Sequence, residues 1–89
     1  MRKFVCTHDP GSLDVPKVEA IRRAFENSPE IIVTKCWFSL SSGKIVTEVE
    51  AASEDVATGA FDKLELPASS IMEASALLQR ARVIHTVHT

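Results

Sequence analysis

The chain has 89 residues, of which 45% are hydrophobic and 25% charged, and a formal net charge of −2. That is one small globular domain, with too few residues for a second core and too much apolar content for disorder. Its basic runs stop at pairs such as Arg22-Arg23, short of a nucleic-acid-binding stripe, and no apolar run approaches the roughly 20 residues of a membrane span.

The first segment, RKFVCTH (2–8), is rich in β-branched and aromatic residues and is stopped by Pro10-Gly11, which predicts a strand. The apolar part of MRKFVCTHDPG is too short for a signal peptide, so the expectation is a cytoplasmic chain whose two cysteines are reduced thiols. DVPKVEAIRRAFENSP follows, with Asp14 as a helix cap, Pro16 tolerated in the first turn, and Val18, Ile21 and Phe25 at helical spacing. EIIVTKCWFSL (30–40) is the strongest strand signal in the chain. SSG (41–43) makes a tight connection in which Gly43 supplies positive φ, and KIVTEVEAA (44–52) returns.

Ser53 caps a second helix, Glu54 and Asp55 favour its positive end, and Val56, Ala60, Phe61 and Leu64 form its buried face. ELP (65–67) ends it, and SSIMEAS (69–75) reads as a fourth short strand. In the remainder, ALLQRARVIHTVHT, Leu77, Leu78 and Ala81 fit a short helix while RVIHTVHT fits an added strand; both readings stay open.

The order β-α-β-β-α-β, with right-handed crossovers and a central hairpin, is that of an α+β ferredoxin-like sandwich. Its antiparallel sheet runs 4-1-3-2 with both helices on one face. Residues 1–75 make the domain and 76–89 a C-terminal extension. The opposite face of the sheet needs a cover, and a domain this small gains from oligomerisation, so a homodimer is expected, with the extension as the other candidate cover.

Several landmarks align in this frame: HDPG closing the first strand, the aromatic pair Trp37-Phe38, KIVTEVEA entering an acidic helix start, and LPASSIMEAS with its Leu-Pro step before an Ile-x-Glu strand. Over about residues 3–75 the chain resembles a family of small bacterial ferredoxin-like domains of unknown function. That family includes a nickel-binding protein and is related to dimeric α/β barrels. By this resemblance Glu50 matches the acidic residue closing the third strand, and Pro67 and Glu73 match a Pro-x-x-x-Ile-x-Glu segment. The chain departs from the pattern twice. Ala60 stands where the family often has a helical His, which weakens the case for metal, and Glu65 stands where a Gly usually precedes the Leu-Pro step.

Cys6 and His8, two apart on a strand, share a face about 7 Å apart and can reach one ion, nickel or zinc being the candidates. Two ligands do not complete a structural zinc site, so His85 and His88 are the helpers, folding back over the open face. The ordinary reading is that Cys6 packs as a small hydrophobe and His8 caps the strand end at the surface. Cys36 lies two strand steps from Cys6, about 10 Å, beyond the reach of a disulfide.

Glu48 and Glu50 share one face of the third strand and, with Trp37, form the candidate ligand-binding set of the open face. Lys3, Lys35 and Arg2 are their expected partners. An enclosed Glu48 would have a raised pKa and serve as an acid or base. Trp37 and Phe38 point to opposite faces, one into the core and one over the open face. Three functions follow: a non-enzymatic domain binding a metal ion or small ligand, a dimeric α/β-barrel enzyme (an isomerase or cofactor-independent oxygenase) using Glu48 or His8, and a pure assembly module. No cofactor signature or nucleophile constellation supports the enzyme.

Overall fold

A computed structural model describes residues 1–74. Strand β1 (Arg2–His8) leads to helix α1 (Val15–Glu26), the hairpin β2 (Ile31–Ser39) and β3 (Lys44–Ala51), helix α2 (Glu54–Lys63) and strand β4 (Ser70–Glu73). The sheet order is β2-β3-β1-β4, which is 4-1-3-2 read from the other edge, with every pairing antiparallel. The ferredoxin-like fold is therefore the one expected from the element order. None of the described helices is long and apolar enough to cross a membrane. The extension assigned to residues 76–89, with His85 and His88, lies outside the described residues.

The caps act as their chemistry requires. Asp14 Oδ1 accepts from the Lys17 amide at 2.8 Å and Ser53 Oγ from the Val56 amide at 3.2 Å, each satisfying a donor that the first turn leaves free. Gly43 turns the β2–β3 hairpin at φ 70° and donates its amide to the Ser39 carbonyl at 2.8 Å. A Cβ there would strike the Gly11 carbonyl oxygen, so only glycine allows the β1–α1 loop to lie against the hairpin.

The end of α2 repeats a familiar stop signal with an unusual residue. The Leu66 amide donates to Phe61 O and the Glu65 amide to Asp62 O, both at 3.0 Å, which is the Schellman pattern. The residue that must take the left-handed conformation is Glu65, at φ 59°. Glycine usually fills that position, because it has no Cβ to oppose positive φ.

The core lies between the sheet and the helices. Phe4, Cys6 and His8 of β1, Ile45, Thr47, Val49 and Ala51 of β3, and Ala57, Ala60 and Phe61 of α2 are all buried. Val56 and Leu64, expected in the buried face of α2, pack at its margin, and Ala57 takes the central place. Phe25 from α1 meets Phe61 edge to face at 6.2 Å.

Strand β2 contains a bulge. Its register with β3 shifts between Val33 and Lys35, and Thr34 Oγ1 donates to both the backbone and the carboxylate of Glu48. One extra residue reverses the alternation beyond it. Ile31 and Val33 face the core before the bulge, and Cys36 and Phe38 face it afterwards. Trp37 is thereby turned to the opposite side, where it is 54% exposed.

Candidate functional site

Alternation along the strands gives the open sheet face its composition. Cross-strand registers set Trp37 against Val46 and Val46 against Thr7. They set Lys35 against Glu48, Glu48 against Val5 and Val5 against Met72, and they set Ile32 against Glu50 and Glu50 against Lys3. Ile32, Trp37 and Met72 are more than half exposed. Apolar side chains thus alternate with charges across a sheet that nothing among the described residues covers.

The expected set Trp37, Glu48 and Glu50 therefore shares this face. Glu48 Oε2 accepts from Thr34 Oγ1 at 2.7 Å and lies 3.8 Å from Lys3 Nζ. The Thr34 hydroxyl, then the Lys3 and Lys35 charges, hold its carboxyl below the usual carboxylate range. On the uncovered sheet the bulge supplies a hydrogen bond to the ionised form, and it outweighs the opposing effect of partial desolvation. Glu50 faces Lys3, as the antiparallel register predicted.

Cys6 and His8 also share a face, but it is the helix side. His8 has no exposed surface, so its expected place as a surface cap is corrected. Its ring lies 4.6 Å from the Phe61 ring in an edge contact, with Nδ1 3.1 Å from Leu66 O and Nε2 2.9 Å from Thr47 Oγ1. A carbonyl only accepts, so Nδ1 carries the proton and Nε2 accepts from the Thr47 hydroxyl. Burial pushes the imidazole pKa down, against the smaller pull of the backbone carbonyls. Burial likewise pushes the Cys6 thiol up.

These contacts change the prospects of a metal at this stretch. An ion on His8 has to displace Thr47 or the Leu66 carbonyl, and it has to reach the ring from beneath α2. A segment lying over the open face does not meet this ring. Cys6 and Cys36 both pair with Thr47 in register, one on each side, so the two-step separation of about 10 Å holds and both thiols are free. Among the described residues no three His, Cys, Asp or Glu side chains gather closely enough to hold an ion. The enzyme reading needs a group that exchanges protons with a substrate. The Thr34 hydrogen bond makes Glu48 a weaker base, and His8 has both ring nitrogens bonded in the core.

No family model and no curated protein matches the chain. Its structure is similar to the crystal structure of SCO4226 from Streptomyces coelicolor A3(2), with a TM-score of 0.75 and 16% identity over 85% of this chain and 99% of that one. It is also similar to the NMR structure of the heavy metal binding protein TM0320 from Thermotoga maritima, with a TM-score of 0.50 and 22% identity over 81% of this chain and 98% of that one. The likeness is one of fold. At these identities it carries no ligand from those proteins to this chain.

Proposed function

We propose that the protein is a non-enzymatic binding domain that works as a homodimer and holds a metal ion or small ligand on its open sheet face. The observation behind this reading is that face itself, with exposed Ile32, Trp37 and Met72 interleaved with Glu48 and Glu50. Isolated exposed apolar residues are ordinary, but Ile32 and Trp37 on β2 and Met72 on β4, with the half-buried Val46 of β3 and Val5 of β1 between them, make an apolar band that is a surface to be covered. A second copy supplies the matching surface and encloses the carboxylates between two sheets. The likeness to a heavy metal binding protein supports a metal as occupant, with nickel and zinc as the candidates. Glu48 and Glu50 are the ligands this face offers. Cys6 and His8 require core hydrogen bonds to be broken first, and His85 and His88 are the further imidazoles to test.

The experiment pairs sedimentation equilibrium with equilibrium dialysis against nickel, zinc and copper. Expected are a dimer that Trp37→Ala weakens, and stoichiometric uptake lost in Glu48→Gln/Glu50→Gln but kept in Cys6→Ala/His8→Ala. Uptake lost in the second double variant, or in His85→Ala/His88→Ala alone, moves the site to those residues. A dimer that takes up no metal leaves the assembly role and refutes the metal reading. A monomer refutes the proposal.

A further inference from the structure

Strand β4 forms one edge of the sheet, and half of its backbone groups face outward. The Ala74 amide donates to the Lys3 carbonyl at 2.8 Å, so in this antiparallel register the hydrogen-bonded pairs are Lys3–Ala74, Val5–Met72 and Thr7–Ser70. Alternation turns the N–H and C=O groups of Ile71 and Glu73 away from β1, where no strand pairs with them among the described residues. The opposite edge, β2, carries a bulge and Lys35, two features that discourage further pairing. The β1–β4 register runs without a bulge.

Beyond Ala74 the chain continues through residues 75–89, and RVIHTVHT (82–89) is rich in β-branched residues. Residues 75–81 are enough to turn the chain back, because neighbouring strands lie only about 4.8 Å apart. With this run laid antiparallel along β4, one register matches at every position. Glu73 meets Arg82, Met72 meets Val83, Ile71 meets Ile84 and Ser70 meets His85. A slip of one residue sets Arg82 on Met72 in one direction and Val83 on Glu73 in the other, and it exchanges the two faces. In the matched register Val83 extends the open-face row of Val5 and Met72, and Ile84 extends the helix side, where Ile71 packs against the core. Glu73 already holds Arg2 at 2.6 Å, and a carboxylate has lone pairs for a second guanidinium from the outer side.

We propose that residues 82–85 return along β4 as a fifth antiparallel strand, paired with the outward backbone groups of Ile71 and Glu73 in the register Glu73–Arg82. This edge contact needs neither a dimer nor a bound ion, and it places His85 on the open face beside Ser70.

Nuclear magnetic resonance of the full chain tests it. The Ile71 and Glu73 amides should exchange with solvent about tenfold or more slowly than they do in Ile84→Pro, which lacks the N–H that bonds to Ile71. Val83→Pro should leave the Ile71 amide slow, because the Val83 N–H faces away from β4. Met72 and Val83 form the non-hydrogen-bonded pair, so their Hα protons should give a cross-strand Overhauser contact. Slow exchange of the Cys6 amide, inside the sheet, shows that each variant is folded.

Fast exchange of Ile71 and Glu73 in the wild type overturns the proposal. So does an Ile71 amide that Ile84→Pro does not release, equal damage from Val83→Pro, or a Met72 Hα contact to another residue of the extension. If the Met72–Val83 contact appears only between differently labelled copies in a mixed sample, the strand is exchanged between chains and the proposal fails.

Discussion

Replacing Glu65 by glycine should make this protein more stable. Glu65 closes the Schellman turn after α2 in the left-handed region, at φ 59°. A residue with a Cβ held there costs roughly 1–2 kcal/mol relative to glycine. Its side chain is exposed and makes no ion pair or hydrogen bond among the described residues, so truncation removes no compensating contact. Glycine gives back about 0.4–1 kcal/mol through the greater freedom of the unfolded chain. The balance is a gain of about 0.5–1 kcal/mol, or roughly 2–8 °C in Tm for a domain of this size. Urea and thermal unfolding followed by Trp37 fluorescence and circular dichroism would measure it, with Glu65→Ala as the control that keeps the Cβ. A Glu65→Gly protein no more stable than Glu65→Ala would refute the claim that the turn stores backbone strain.

The buried imidazole makes stability depend on pH. Because the folded state holds His8 below its ordinary value of 6.5, the unfolded chain takes up the proton first. Stability is full above pH 6.5 and falls as pH drops below it, before the carboxylates titrate; urea melts from pH 8 to 5 should show this, and a His8→Gln variant should flatten the curve. Thr47→Val keeps the shape but strands the His8 Nε2 lone pair in the core, and a loss of about 1–3 kcal/mol in chemical denaturation is expected. Thr34→Val removes the first support of the ionised Glu48, so its carboxyl should titrate at higher pH in a carbon-13 NMR titration than in the wild type. Gly43→Ala adds a methyl group against the Gly11 carbonyl at positive φ, and a destabilisation of about 2 kcal/mol or more should appear in the thermal melt.

Most of the fold was readable from local chemistry. Asp14 and Ser53 announced the helix starts, Gly43 the hairpin, and the strand order followed from the sequence of elements and the handedness of crossovers. The candidate open-face residues were readable for the same reason, since Glu48 and Glu50 must share a face of β3 whatever lies on it. His8 was not. A histidine at a strand end before Asp9-Pro10-Gly11 reads as a surface cap. Its partners, the Leu66 carbonyl 58 residues away and the Thr47 hydroxyl 39 away, leave no local signal.

The bulge in β2 marks the same boundary more sharply. The alternation of apolar residues determines that one of Trp37 and Phe38 faces inward, because successive side chains of a strand must diverge. It does not determine which. Unbroken alternation from Ile31 would carry Trp37 into the core and Lys35 with it, and the cost of burying that ammonium unpaired is what the extra residue at Thr34 avoids. The sequence by itself determined the elements, their order and the composition of the faces of the unbroken strands β1 and β3. Only the tertiary structure, by placing β2 against β3 over the helices, decided that Phe38 packs inside, that Trp37 stands on the open face, and that His8 is locked in the core.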